Sequence, residues 1–491
     1  MKKNFLKTVS FLLAVILTFA GSIYILDFKY LDSIFKVDSF YELEENTVDV
    51  LVLGSSHAYQ GFNTAVFWRE YGIAAFDLCG AAQPVWNTYY YLEEALKTQT
   101  PKAIILDTYY LHMTDDYTDA STAIKNTYGL KWSDTKKEAI KASFNTEESG
   151  NQYFFSILQY HSRYSDLKKS DFAPYQANKA MYENHKGFYC YFKSTAVTER
   201  ELTNIKYFNK LTDKVEYYYR KIIELAKSKN IPIIVTAIPF NAENYHQGFF
   251  NTAKFIAEEE YDVPFYNFVT DYKEELNINY KTDFSDNQHL NYSGNTKLTR
   301  FFGELLKNEY NIPDRREDEK YSSWGKDADV YYKQLENHQV TKINDLLNYA
   351  QVFKNSRYKI VMTSSFPEYD SIPSNAKNTM SAFFRQIGVE TYEQRNGGMW
   401  IFENGEKTYY NDCSQENFTK AVKLGQYDGI AVKRTEHMFD EDETYFVNSI
   451  YANKEDATIS NYGLNIYVYD NFTQSKVDMI TLRFSDNKLK R

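Results

Sequence analysis

Asp286 and His289 stand three residues apart in DFSDNQHLNYSG (283–294), a polar stretch that runs directly into a helical pattern. On a turn entering a helix, this spacing can set a carboxylate and an imidazole on one side of the chain. The carboxylate then accepts a hydrogen bond from one ring nitrogen and leaves the other free to act as a base. Such a pair needs a nucleophile, and a serine hydroxyl is a weak one until a base takes its proton. VLVLGSSHAYQGF (50–62) offers the serine. An apolar run from Val48 to Leu53, broken only by Asp49, meets Gly54, Ser55, Ser56 and His57. A short Val- and Leu-rich run suits a strand buried on both faces of a parallel sheet. Glycine permits a sharp turn at its end, and open α/β sheets place their ligands at the carboxyl ends of strands.

The segments between these two stretches alternate. TAVFWREYG reads as a helix closed by Gly72, AAFDLCG as a second strand, NTYYYLEEALKT as a helix and AIILDTYYL as a third strand. Later, VEYYYRKIIELAKSKN has helical spacing and leads into IPIIVTAIPF, a further buried strand, and YSGNTKLTRFFGELLKNEY closes the series as a helix. The expected fold is α/β, a doubly wound, mostly parallel sheet. We expect a cytoplasmic tip and anchor over 1–30 and the α/β domain over 31–312. The polar, aromatic-rich helical pieces of about 113–207, such as FFSILQYHSRYSDLKK, read as an insertion, either a lid or a surface elaboration. A charged linker and helix follow over 313–350, then a smaller α+β or β-rich C-terminal domain over 351–491. In that domain MWIFENGEKTYY is a hairpin turned by Asn404-Gly405, and GLNIYVYDNFTQSKVDMITLRF is a second strand pair.

The chain of 491 residues is 43% apolar and 25% charged, the composition of a folded protein. Its net charge of -10 carries no basic block beyond the first few residues, which argues against a nucleic-acid partner. Aromatics reach 17%, with 45 tyrosines, which admits sugar-stacking surfaces but more often reflects biased codon usage. MKKNFLK precedes a charge-free run from Val9 to Leu26, long enough to cross a bilayer with the N-terminus cytoplasmic and the bulk of the chain extracytoplasmic. A cleaved signal peptide competes, but IYIL continues the apolar run past TFAGS, so a single-pass anchor is preferred. Cys79, Cys190 and Cys413 are too few and too far apart for a disulfide framework or a metal-ligand pattern. His161, His185, His246, His338 and His437 are scattered, so neither a metal site nor a cofactor is expected. His57 reads better as a polar loop residue than as a group tuning the site, and His112 as lying near the pocket. Trp86 and the tyrosines at 89–91 read mainly as helix core.

GSSH after the first strand and DNQHLNYSG before the last helix resemble the first and last blocks of the SGNH (GDSL-type) hydrolase superfamily. The resemblance covers roughly 45–310 and implies Ser56 as nucleophile, His289 as general base and Asp286 as its orienting carboxylate. It implies an oxyanion role for the backbone of Gly80 in FDLCGAAQP, with Gln83 and Asn87 as polar candidates for the same pocket. The family's third block gives an asparagine after strand three. Here ILDTYYLH departs from it, with Asp107 and Tyr109 about where that asparagine would stand. The layout is similar to membrane-anchored polysaccharide O-acetylation and teichoic-acid D-alanylation proteins. That likeness implies an esterase or acyltransferase acting on O-acyl groups, chiefly acetyl, of cell-envelope polysaccharide. It also implies a membrane-bound O-acyltransferase as partner. The reading from a different class is a non-catalytic surface protein that binds glycan or scaffolds such a partner.

Overall fold

A computed structural model describes residues 2–26, 32–145, 161–167, 169–172, 185–203, 205–415, 417–425, 428–440, 443–452 and 455–491. The chain divides into two compact units, Met1–Asp329 and Val330–Arg491.

The first unit opens with a helix over Lys2–Leu26. Within it Phe5–Leu26, 22 residues of mean hydropathy 2.3, is long and apolar enough to cross a membrane. The strands β1 (Val50–Leu53), β2 (Ala75–Asp77), β3 (Ala103–Asp107), β4 (Ile233–Ala237) and β5 (Phe265–Asn267) follow. They form one sheet in the order β2-β1-β3-β4-β5 with every pair parallel. The order reverses at β1, so the crevice beyond its carboxyl end is the place where doubly wound sheets hold ligands. All four β1 side chains are fully buried, as the uninterrupted apolar run requires. On one face Val50 and Val52 pack with Phe62, Phe67, Leu298 and Phe302. The helix Thr64–Tyr71 is capped by the Asn63 side chain, which accepts from the N–H of Ala65 and Val66, and ends at Gly72 in the left-handed region at φ 69°.

The connection from β3 to β4 holds the expected insertion. Its described part contains the helices Ala120–Lys125 and Asp134–Ser143 and, among the described residues, no strand. Half of FFSILQYHSRYSDLKK, at 154–160 and 168, lies outside the described residues. Residues 313–329, expected as the start of a charged linker, are packed. Arg315 forks onto Asp49 at 2.8 and 3.0 Å, and buried Trp324 donates from Nε1 to the Ala75 carbonyl at 2.9 Å. The helix Ser322–Val340 runs through the division between the units.

The second unit is β-rich and antiparallel. Its strands are β6 (Tyr358–Ser365), β7 (Gly398–Glu403), β8 (Glu406–Asn411), β9 (Thr419–Leu424), β10 (Asp428–Asp440), β11 (Glu443–Ala452), β12 (Glu455–Asp456), β13 (Gly463–Asp470), β14 (Ser475–Arg483) and β15 (Lys488–Lys490). They build a six-stranded sheet, β15-β14-β13-β6-β7-β8, and a four-stranded sheet, β12-β11-β10-β9. The helix Ser374–Gln386 covers one face of the larger sheet, with Met380, Phe383 and Phe384 in a core that includes Ile360, Met362, Trp400 and Leu464. Val361, Met399 and Ile401 point the other way and pack with Val422, Val432 and Ile450 of the smaller sheet. Asn404 and Gly405 both take positive φ, 54° and 80°, as the β7–β8 turn demands.

Candidate active site

Gly54 leaves β1 at φ 147°, a conformation that favours glycine. A Cβ there would lie 2.9 Å from the Asp107 Cβ and 3.0 Å from that of Ala58. The turn it permits makes Ser56 the first residue of a short helix, Ser56–Gly61. Ser56 therefore sits at the carboxyl end of β1, where the sheet order reverses.

Asp286 and His289 occupy the tip of a tight loop just before the helix Tyr292–Asn308. The loop is closed by a bridge between Phe284 and Leu290. Backbone bonds from Ser285 to the His289 carbonyl, 2.9 Å, and from Asn291 to the Asp283 carbonyl, 3.0 Å, hold it shut. Asn291 caps the helix, accepting from Ser293 and Gly294, and its amide donates to the Thr282 carbonyl at 2.7 Å. Asp283 is buried, pairs with Lys297 at 2.7 Å and accepts from the Asn279 N–H and the Ser293 hydroxyl. Burial pushes its carboxyl up; these bonds outweigh burial and leave it below its ordinary value. The returning end of the β3–β4 insertion supports the same loop, through Thr195 N–H on the Phe284 carbonyl and Val197 N–H on the Tyr280 carbonyl, both at 2.8 Å.

Across 233 residues of sequence the two loops meet. His289 Nε2 lies 2.9 Å from Ser56 Oγ, and His289 Nδ1 lies 3.0 Å from both carboxylate oxygens of Asp286. Partial burial pushes the Asp286 carboxyl up, but bonds from His289 and from the N–H of Gln288 and His289 prevail and hold it below its ordinary value. An ionised carboxylate only accepts, so Nδ1 carries the proton, Nε2 is the acceptor and the Ser56 hydroxyl donates. This is the tautomer a serine nucleophile needs.

The other expected site residues divide. Gly80 follows β2, the neighbour of β1. A Cβ on it would stand 2.1 Å from Asn126 Oδ1 and 2.7 Å from Gln83 Oε1, so any side chain there would have to displace these two amide groups. Gln83 is buried in the turn before the helix Val85–Ala95 and donates from Nε2 to Thr88 Oγ1 at 3.0 Å. Asn87 lies in the first turn of that helix, fully buried. Its amide donates to Ser143 Oγ at 3.1 Å, tying two helices together. Trp86 and Tyr91 are buried in the core.

Asp107, the last residue of β3, packs its side chain against Gly54. Burial raises its carboxyl to about 7, while the N–H groups of Tyr109, Ile238 and Thr108 pull it part of the way back. The Tyr109 ring stacks on His57 at 3.5 Å. His57, adjoining the serine, is buried and lies 4.8 Å from the His289 ring. Burial, and then the other nearby imidazoles, push it well down, so it is neutral at physiological pH. His246 and Phe240 complete the wall, His246 stacking on Tyr109 at 6.2 Å and meeting His112 at 5.1 Å. The sequence reading missed His246 and Phe240, because nothing in their local pattern marks them; the topology alone brings them beside β3. Asn291 carried a readable signal, an N-cap residue ahead of a helix. Among the described residues no group of three or more His, Cys, Asp or Glu side chains is placed to hold a metal. No family model matches the chain, and no curated protein matches it.

Proposed function

We propose that this chain is an SGNH-type serine acyltransferase or esterase, anchored in the cell membrane with its bulk extracytoplasmic, acting on O-acyl groups of cell-envelope polysaccharide. The observation that carries the reading is the connected line Ser56 Oγ, His289 Nε2, His289 Nδ1 and Asp286, with each step at 2.9–3.0 Å. In the first half-reaction Ser56 Oγ bonds to the acyl carbonyl carbon as its proton passes to His289 Nε2. Collapse of the tetrahedral intermediate expels the alcohol, which takes that proton. In the second half, a glycan hydroxyl or water attacks the acyl-serine and gives its proton to Nε2, and Ser56 recovers a proton as it leaves. The Ser56 N–H has no partner inside the helix it begins. It and the Gly80 N–H are the donors this reading assigns to the oxyanion. Asp286 holds the ring and stabilises the imidazolium. An anchor that keeps the serine beside the membrane favours transfer over hydrolysis, with a membrane-bound O-acyltransferase as the donor-side partner.

A specific observation favours the non-catalytic alternative. Asp107 stands beside the nucleophile turn, where an ionised carboxylate would repel a developing oxyanion. Fluorophosphonate labelling of the full chain decides between the two. Labelling that is abolished in Ser56→Ala and weakened in His289→Ala is expected; a folded parent that does not label overturns the catalytic reading.

A further inference from the structure

Towards one end of the second unit the facing surfaces of its two sheets change character. Alternate residues of a strand share a face. Val432 and Ile450, paired across β10 and β11, fill the core between the sheets. Two residues further, on the same face, stand Arg434 and Asn448, again directly paired, and then Phe446. On β6 the same inward face runs Val361, Thr363, Ser365. Positions that bury apolar groups elsewhere in the sandwich are polar here, and they border a cleft of about 990 Å³. That volume is at the upper end for small-molecule sites, roughly 300–1,000 Å³.

The polar groups in the cleft are held in place but not used up. Asn448 is buried. Its backbone N–H donates to Ser365 Oγ at 2.9 Å and its amide to the Ser364 carbonyl at 3.0 Å. The amide orientation is thus fixed, and Oδ1 is left without a partner. The Arg434 guanidinium lies 3.9 Å over the Phe446 ring and donates from Nη1 to the Cys413 carbonyl, while its Nε has no partner. Phe366 and Tyr369 supply aromatic surface opposite. Gly397, at φ 67°, packs tightly against this wall: a Cβ there would come within 2.8 Å of Ser364 Oγ and 3.0 Å of the Phe366 ring.

We infer that this cleft is a binding site for a neutral saccharide chain. Aromatic faces beside a guanidinium and a fixed amide suit rings that are apolar on their faces and carry hydroxyls at their edges. Arg395 and Arg434 are matched by Glu368 and Asp412 around the rim, which disfavours a polyanion. Within the cleft β6 and β7 are each paired on both sides, so along them side chains do the recognising. The site is independent of Ser56 and is read without turnover, so a chain that labels nothing at Ser56 still tests it.

The test is saturation-transfer NMR on the full chain in detergent, with cellopentaose, xylopentaose, chitopentaose and mannopentaose as probes at about 10 mM, well above a millimolar dissociation constant. Transfer to at least one probe is expected, and Phe446→Ala and Arg434→Gln should each weaken it by about tenfold, the loss of one stacking or hydrogen-bonding anchor. Tyr369→Ala, in the short helical turn Tyr369–Ser371 outside the strands, should weaken it likewise and covers the case in which a strand variant does not fold. Absence of transfer to every probe overturns the assignment. So does transfer unchanged in the folded variants, or stronger transfer to oligogalacturonate or to a neutral peptide.

Discussion

The two loops that meet at the candidate site are built by opposite means. The serine's turn is shaped by steric room: Gly54 at φ 147° lies against Asp107 and Ala58 with no space for a methyl group. Ser55, the residue at its N-cap, makes no side-chain capping bond. The histidine's loop is shaped by hydrogen bonds: a closing bridge, the Asn291 cap, the Asp283–Lys297 pair and support from residues 195–197. A turn held by sterics fails when something is added to it, whereas a loop held by bonds fails gradually as they are removed. The largest effect tests the meeting point itself. His289→Ala should slow fluorophosphonate labelling of Ser56 by about 10²–10⁴-fold, the contribution of a positioned general base. Unchanged melting would show that the loss is chemical. A residual rate within tenfold of the parent would separate Ser56 reactivity from the histidine.

Gly54→Ala comes next. Its Cβ has nowhere to go and its backbone is in a region that L-residues avoid, so we expect a stability loss of about 2–3 kcal/mol together with loss of labelling. Thermal melting alongside labelling tests this, and a variant with parental Tm would show that the turn relaxes. Asn291→Ala should do less. It removes a cap worth about 1–2 kcal/mol and the bond to Thr282. Labelling should fall by about tenfold as His289 loses part of its support. Equal damage from the two substitutions would dissolve the contrast between a steric turn and a bonded loop.

The same contrast explains how much could be read beforehand. The apolar run at β1, the helix closed by Gly72 and the Asn404-Gly405 turn each carry their signal within a few residues, and each appears where it was expected. The Asp286–His289 pair was legible in its spacing and the choice of Ser56 rested on a resemblance between blocks, and the geometry brings the three together. The short strand β5, Phe265–Asn267, gave too few residues for a period. The four-stranded sheet over Thr419–Asp456 was missed for another reason. Its strands β9 and β10 mix exposed lysines with single apolar residues, so their pattern is set by a half-buried face that only the partner sheet defines. Asn87 shows what local sequence leaves out: its side chain ties one helix to another through Ser143.

Asp107 gives the smallest expected effect and the finest test of the steric turn. Its carboxyl is raised to about 7 by burial, against an unfolded value near 4. The folded state therefore holds the proton more tightly than the unfolded chain. The contribution to stability is fully present below pH ~4, falls as pH rises from there to about 7, and is flat above. Near pH 7 the side chain packed on Gly54 changes from a neutral acid, which can donate a hydrogen bond, to an anion, which disfavours an adjacent oxyanion. The pH profile of Ser56 labelling should therefore bend downward by about threefold between pH 6 and 8, relative to the rise that deprotonation of a general base produces. Asp107→Asn keeps the shape and removes the charge, so the bend should vanish while the rate at pH 6 stays close to the parent's. A bend that survives in Asp107→Asn would assign it to another group. An unbent parent profile would mean that the charge on Asp107 does not reach the serine, and that its place beside Gly54 is one of packing alone.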